Sequence, residues 1–391
     1  MISVPDAIKA IQDSILPLEL VKLNIEDALD QVTHNPINSP IHMPPFAQSA
    51  MDGYALNGDN LPSYTLIAEI QAGASAENIH LQHGEAARIF TGAMVPGGTT
   101  AIAKQEIVER SNEQITLTTS VKQNENIRPL GEQIKKGEIA LNEHTVINAG
   151  AAGFLYTLGL HEVEVYRKPK VCIIATGNEL VKPGEELPVG KVYESNTYTL
   201  KTALKGLNIH ADIQTVKDDY ASTKESIHKA MTNYDLLITT GGISVGDYDF
   251  VGKAFEELGV ETLFYKVKQK PGKPVFFGKH ASSYVFGLPG NPAAVLSCFY
   301  MYVLPAIKTM MGNNQPFLET RKLALKGSYS KTKSLSHFLK ARAFGNEVEI
   351  MNAQSSAMLS SFATANCLLF MPEGQDEWKS GDLVEAYMLP N

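Results

Sequence analysis

Between residues 170 and 312 the chain repeats one rhythm: a short apolar run, a loop rich in glycine, acid or lysine, then an amphipathic helical stretch. This alternation constrains the fold most, because parallel strands need crossovers long enough to hold a helix laid over the sheet face. Residues 171–175 read as the first strand. The next helix carries Leu200, Ala203, Leu204 and Leu207 on one face, with Ser195 or Asn196 as its cap. A second strand runs over 213–216, and Ser222-Thr-Lys-Glu225 is a capping-box pattern for the helix after it. The third strand covers 236–239. Val251, Ala254, Phe255 and Leu258 then form a helical face closed by Gly259. Further strands are expected near 262–267, 275–278 and 284–287. Asn291-Pro292 opens the last helix, where a first-turn proline costs little. The expected centre is therefore a mainly parallel α/β sheet with helices on both faces.

The flanking segments differ in texture. Residues 39–134 hold many prolines, glycines and short alternating runs, which predict a β-rich domain. Residues 1–38 show helical spacing at Ile8, Ile11 and Ile15, and again at Ile25, Ala28 and Leu29. With the mixed stretch 135–168, helical over 148–158, they predict an elongated helical and mixed domain into which the β-rich segment is inserted. The tail, 319–391, reads as a small β-barrel, with Gly345-Asn346 as a hairpin turn. The expected class is thus a multidomain α/β protein with its central sheet domain at 169–318. A length of 391 residues suits two to four such domains.

Bulk chemistry narrows the partners. A net charge of -8 argues against a general nucleic-acid binder, whose affinity rests on basic patches. No apolar run approaches the roughly 18 residues that span a bilayer, and residues 295–304 read as a buried helix. The N-terminus lacks a basic-then-apolar signal, and the three cysteines lie far apart, so a reducing, cytoplasmic setting is expected. His80 and His83 sit in a polar stretch with no third ligand and read as surface residues.

The loops that follow the strands carry the chemistry. In open α/β sheets, ligands bind outside the carboxyl ends of the strands. Those ends are followed by Thr176-Gly-Asn-Glu179, by Lys217-Asp-Asp219, by Gly241-Gly-Ile-Ser-Val-Gly-Asp-Tyr-Asp249, and by Lys266, Lys270 to Lys273 and Leu288 to Pro292. Gly241 and Gly242 let backbone amides approach an oxyanion, and the turn after them can form an anion nest. Lys266, Lys270 and Lys273 supply positive charge. Glu179, Asp218 and Asp249 suit a hard cation such as Mg²⁺, which binds one or two carboxylates plus substrate phosphates. Taken singly, Asp218-Asp219 equally fits a helix cap, and Glu179 a first-turn acid favoured by the helix dipole. Their joint placement favours metal-assisted chemistry at a phosphoanhydride.

Read together, these segments resemble the molybdopterin molybdenumtransferase (molybdenum insertase) family, to which the E domain of gephyrin is related. The resemblance rests on Ser49-Ala-Met-Asp-Gly-Tyr-Ala55, Arg88-Ile-Phe-Thr-Gly-Ala93, Asn126-Ile-Arg-Pro-Leu-Gly-Glu132, Ala175-Thr-Gly-Asn-Glu-Leu180 and Tyr193-Glu-Ser-Asn196. It continues in Gly241-Gly-Ile-Ser-Val-Gly246, Lys270-Pro-Gly-Lys-Pro274 and Gly287-Leu-Pro-Gly-Asn-Pro292, and so covers nearly the whole chain in order. It implies four domains per subunit, a homodimer, and a site completed by the partner subunit's β-rich domain. It further implies that adenylylated molybdopterin and molybdate react with Mg²⁺ assistance, releasing AMP and yielding molybdenum cofactor.

Carried over residue by residue, the resemblance makes Asp52 and Thr91 the inserted domain's contribution. Glu179, Asp218 and Asp249 match the acidic set, and Lys266 and Lys270 the basic set. Pro289 and Pro292 match the pocket wall, and Ser356 a C-terminal serine near molybdate. Lys273, Gly241, Gly242, Ser244, Arg128 and Lys340 complete the expected substrate contacts. Without the resemblance, Asp52 and Thr91 read equally as turn residues. This chain departs from the family pattern at Gln133, where an Asp is frequent, and at Lys340, where an Arg aligns. A Lys cannot grip an oxyanion bidentately. Ser355-Ser356-Ala357 also replaces a glycine-flanked serine.

The competing readings are few. A molybdopterin adenylyltransferase would show a Thr-Gly-Gly-Thr-Gly loop in a single-domain chain, though such an enzyme remains a conceivable partner. A peptide-binding scaffold would need an unpaired groove in the C-terminal domain. Tungstate, tetrahedral and of similar size, stands beside molybdate as the oxyanion.

Overall fold

The computed structural model describes residues 1–217, 219–243 and 250–390. Its central sheet has six strands: β1 (Val171–Thr176), β2 (Ala211–Val216), β3 (Leu236–Thr240), β4 (Glu261–Tyr265), β5 (Phe276–His280) and β6 (Ser283–Leu288). Their order is β2-β1-β3-β6-β5-β4. β2, β1, β3 and β6 are parallel neighbours. β5 runs antiparallel to both β6 and β4. The reason is local: only residues 281 and 282 separate β5 from β6, too few for a crossover helix.

β1 is buried along its whole length, as a strand covered on both faces must be. Its side chains alternate between two cores. Val171 and Ile173 pack with Leu200, Leu204, Val295 and Phe299 on one face. Cys172 and Ile174 pack with Ile227, Val251 and Phe255 on the other. Truncating Ile173 to Ala would cost about 2–5 kcal/mol, the usual range for a fully buried aliphatic side chain.

Helix starts follow from nearby oxygen acceptors. Helix Asn196–Lys205 begins after Ser195, whose own side chain makes no cap. Buried Glu194 does that work, accepting from the Thr197 N–H at 2.9 Å and from the Thr197 hydroxyl. Helix Tyr220–Asn233 starts before the expected Ser222, because Asp219 caps it by accepting the Ser222 N–H at 2.9 Å. The last helix opens at Pro292, as predicted. It continues to Met310 through a π-turn at Phe299–Val303. Its 19 residues are long and apolar enough to cross a membrane, yet 83% of the apolar window is buried in the protein, as in a core helix.

At the N-terminus, Val4–Ser14 is helical, capped reciprocally by Ser3 and Asp6, and it buries Val4, Ala7 and Ile11 against the sheet core. The helix expected around Ile25 is only a 3₁₀ turn, Ile25–Ala28. It sits between the strand Leu20–Asn24 and Asp30, whose φ of 64° breaks a right-handed helix.

The tail closes into a barrel. Strands Thr320–Lys326, Ser336–Phe344, Glu347–Ile350, Cys367–Met371 and Leu383–Met388 pair in a ring of five around Leu323, Leu339, Val348 and Leu369. Gly345, with φ of 56°, carries the predicted hairpin turn.

By packing, the chain divides into two compact units. One holds residues 1–22, 30–34 and everything from Glu164 onward, including the sheet and barrel. The other holds 23–29 and 35–163. Its six-stranded sheet places Gly53–Leu56 between Ala101–Lys104 and Glu85–Ile89. Alternation again sends Tyr54 and Leu56 to one core and Ala55 to the other.

Candidate active site at the carboxyl edge of the sheet

The register of the sheet brings the loops to one edge. Ala175 of β1 stands beside Thr215 of β2 and Thr240 of β3, and Thr240 stands beside Leu288 of β6. One residue back, Gly287 faces Phe276 of β5, which faces Tyr265 at the end of β4. Thr176, Lys217, Gly241, Pro289 and Lys266 therefore leave the sheet along the same side. Lys266 lies three strand spacings from β3, about 14 Å along the edge.

Glycine shapes the middle of this edge. Gly241 and Gly242 adopt φ of 83° and 61°, a left-handed conformation that favours glycine. A Cβ on Gly242 would fall 2.8 Å from Val251 Cγ2 and 3.1 Å from Thr176 Oγ1. The Gly241 N–H donates to the Leu288 carbonyl at 3.2 Å, tying this loop to the 289–292 loop. At Gly177, a Cβ would meet the Glu179 carboxylate at 2.8 and 2.9 Å. That carboxylate thus folds back over a residue that must be glycine, while staying exposed to solvent.

The lysines differ in how firmly they are held. Lys266 has φ of 64°, its N–H donates to Val275 O at 3.0 Å, and its carbonyl accepts from Ile2 N at 3.0 Å. Its ammonium lies 4.7 Å from the Tyr265 ring centre, and the Tyr265 hydroxyl donates to Ile243 O at 3.0 Å. Backbone and ring together fix where this charge sits. Lys270 and Lys273 are exposed. Between them and the core, buried Gln269 accepts from the Tyr302 hydroxyl and donates to Pro271 O at 3.0 Å. Lys270 pairs in register with His337 of the barrel.

The barrel contributes Ser356. Its carbonyl accepts the Ala293 N–H at 2.9 Å, and its hydroxyl accepts from Asn291 Nδ2 at 3.0 Å. Ser356 therefore sits on the first turn of the helix that Pro292 opens. Lys340 is employed otherwise than expected of an oxyanion ligand. It is 2% exposed, and its ammonium donates to the carbonyls of Ala353, Met358 and Ser355 at 2.7, 2.9 and 3.3 Å. An ammonium has three protons, and three carbonyls take them. Burial pushes its pKa down. Lys340 shapes the loop that presents Ser356.

In the other unit, Asp52 Oδ1 accepts both the N–H and the hydroxyl of Thr91 at 2.8 Å. The Thr91 amide first, then its hydroxyl, holds the Asp52 carboxyl below the usual range. Arg88 backs this pair, donating to Gly53 O at 2.7 Å and lying 4.6 Å from the Phe90 ring centre. Arg128 is exposed on the short pairing of Ile127–Arg128 with Gln48–Ser49. Asp218, Ser244 and Asp249 lie outside the described residues. Among the described residues, no group of three His, Cys, Asp or Glu side chains is placed to hold a metal.

Sequence reasoning gave no role to Thr176 and Glu194 at this edge, and read Asn196 only as a cap, whereas it is the first residue of the helix. Each lay inside a quoted segment, so the signal was position, at a strand end or a helix start, rather than charge.

The arrangement is that of an open α/β sheet whose loops gather at the carboxyl ends of its strands, with Ser356 of the barrel region set on the same edge. Residues 2–159 match the MoeA N-terminal region (domain I and II), 172–309 the "Probable molybdopterin binding domain", and 322–389 the MoeA C-terminal region (domain IV). The molybdopterin molybdenumtransferase of Staphylococcus epidermidis is 32% identical, across 99% of this chain and 95% of that one. That of Haemophilus influenzae is 33% identical, across 96% and 95%. The crystal structure of the molybdopterin biosynthesis moeA protein from Pyrococcus horikosii covers all of both chains with a TM-score of 0.86 at 28% identity. The chain belongs to the molybdopterin molybdenumtransferase family, a family of transferases.

Proposed function

We propose that this protein inserts molybdate into adenylylated molybdopterin with Mg²⁺ assistance, releasing AMP and forming molybdenum cofactor. The observation that carries the reading is the strand register, which lines up Thr176, Gly241, Lys266 and Pro289 on one edge. An anhydride with an anionic phosphate and a tetrahedral dianion needs cationic groups, close-approaching amides and a hard cation. This edge offers the first two. Glu179 supplies a solvent-facing carboxylate for the third, folded over Gly177. When bound, Mg²⁺ would withdraw charge from the phosphoanhydride being broken.

The chain's own residues then divide the work. Lys266, held by its backbone and by Tyr265, places a fixed positive charge, while exposed Lys270 and Lys273 attract the anions from solvent. Pro289 and Pro292 stiffen the wall beside Gly241, and Ser356 offers its hydroxyl over the first turn of the last helix. Asp218, Ser244 and Asp249 complete the acidic and nest positions in this reading, as their places in the sequence suggest. Asp52 and Thr91 would act from a second copy of the chain, since the family resemblance implies a homodimer with shared sites. The same reading places the protein in the cytoplasm, receiving its substrate from an adenylyltransferase.

The test is direct. Purified protein incubated with adenylylated molybdopterin, molybdate and Mg²⁺ should release AMP, and omitting molybdate or adding a chelator should suppress it. AMP release indifferent to molybdate would overturn the reading.

A further inference from the structure

The loop that carries Lys270 and Lys273 rests on a buried polar pair. The two lysines are exposed, while Pro271 and Gly272 between them are buried. Beneath them Gln269 is 1% exposed and Tyr302 is fully enclosed, and the Tyr302 hydroxyl donates to Gln269 Oε1. The other end of the same amide, Nε2, donates to the Pro271 carbonyl at 3.0 Å and reaches that of Gly272 at 3.5 Å. Carbonyls only accept, so the Gln269 NH₂ must face the loop and its oxygen must face Tyr302. Burial raises the Tyr302 pKa well above its ordinary value, so the hydroxyl keeps the proton it donates.

Close packing holds the loop onto this pair. Gly272 has φ of 88°, and a Cβ there would overlap Cys298 Sγ and lie 2.9 Å from Gln269 Nε2. The Val267 N–H donates to the Lys273 carbonyl at 3.0 Å and closes the loop. On the barrel side, Gln269 and Lys270 pair in parallel register with Ser336 and His337. Tyr302 itself lies in the π-turn Phe299–Val303, where the helix that opens at Pro292 departs from its regular repeat. One extra residue in a helix turns the side chains after it by about 100°. Such turns recur at functional sites.

A polar pair in this core needs a reason other than stability. Apolar groups of the same shape at both positions would be nearly neutral, because the buried hydrogen bonds only replace bonds to water. What a satisfied buried pair adds is a single arrangement. Here the arrangement it fixes is that of the two residues between the lysines. We propose that Tyr302 and Gln269 are positioning residues that hold Lys270 and Lys273 at the spacing an anionic substrate requires. Both are buried and act through the loop. The proposal rests on the transferase reading above and adds to it the residues that set its lysines.

The experiment uses the full chain with Tyr302→Phe, which keeps the ring, and Gln269→Met, which keeps the shape. Each is made alone and on top of Lys270→Ala with Lys273→Ala. Thr309→Val is the control, since its hydroxyl donates to Pro305 O farther along the same helix. Dissociation constants for molybdate and for AMP are measured by calorimetry, with melting temperature, AMP release and amide exchange of the 266–275 peptide alongside. The paired alanine variant should weaken at least one of the two anions. Tyr302→Phe and Gln269→Met should each weaken that same anion about fivefold and speed exchange in 266–275. Neither should weaken it further once the lysines are gone, the mark of a residue acting through another. Thr309→Val should match the wild type in every constant. A lower melting temperature with unchanged constants would leave the pair a part of the fold alone and overturn the proposal. An equal loss in both backgrounds would overturn it too, as would wild-type constants in the paired alanine variant. Wild-type protein that shows this coupling but releases no AMP would instead overturn the transferase reading and leave the positioning standing.

Discussion

The two edges of the central sheet are made from the same strands on opposite rules. At the amino edge, where β1, β3 and β6 begin, the charged groups are paired with one another, although the buried Ser283 hydroxyl at the start of β6 has no partner among the described residues. Arg167 grips Asp235 with two N–H groups at 2.6 and 2.8 Å and reaches Glu19 with a third at 2.6 Å. The Lys170 N–H donates to the same Asp235 carboxylate at 2.7 Å, and the Tyr284 N–H to the Asp235 carbonyl at 2.9 Å. Burial pushes the Asp235 carboxyl up, but Arg167 and the Lys170 amide more than offset it and leave it lowered. At the carboxyl edge, glycines stand where side chains would fill the space, and carboxylate and ammonium groups face solvent. One edge locks its charges into the fold. The other leaves its charges facing solvent.

If that contrast is right, substitutions at the two edges should separate activity from stability. The largest effect is expected for Glu179→Gln: turnover in AMP release should fall about 100-fold or more, some 2.7 kcal/mol of transition-state stabilisation. Its melting temperature should match the wild type, because Glu179 is exposed. Equal turnover would break the contrast from the active side. Arg167→Ala should do the reverse. It strands a half-buried carboxylate, so urea unfolding should show a loss of about 3 kcal/mol, with turnover of the folded protein within about twofold. A large loss of turnover with no loss of stability would break it from the other side.

How much of this was legible in the sequence depends on the distance between cause and effect along the chain. The strand ends and their glycines were legible because alternation and loop chemistry lie within a few residues of each other. The antiparallel β5–β6 pairing was not read, since strands were expected near 275–278 and 284–287 with no connection assigned between them. Nor was the place of Lys340. In Phe338-Leu-Lys-Ala341 nothing local says that its ammonium will be enclosed by carbonyls from residues 353–358, which reach it only through the barrel's closure. Glu194 was missed because a glutamate two positions before a helix reads as surface, and only burial turns it into the cap. Ser222 lost its expected place because Asp219, three residues earlier, meets the same N–H. The acids Asp218 and Asp249, with Ser244, remain known here by sequence alone.

Two smaller effects sharpen the comparison at the barrel. Lys340→Met should cost about 1 kcal/mol in urea unfolding by removing the ammonium's hydrogen bonds to three loop carbonyls. By loosening the Ser356 loop, it should also raise the half-saturating molybdate concentration. An unchanged molybdate dependence would show that the loop serves the fold alone. The smallest effect is in pH. Burial, then Lys331 and Lys270, pushes the His337 imidazole down to about 4. A group whose folded pKa is depressed stabilises above its unfolded value, near 6.5, and loses that contribution as pH falls toward the folded one. Wild-type stability should therefore decline between about pH 6.5 and 4 more steeply than that of His337→Asn. Parallel declines would remove His337 as the cause.

Amide hydrogen exchange with and without saturating AMP and Mg²⁺ tests the division between the edges most directly. Slower exchange is predicted in peptides spanning 176–180, 240–243 and 288–293, with none in those covering 167–170 and 233–236. Protection confined to the amino-edge peptides, or to the barrel hairpin around Gly345, would contradict the placement of the site.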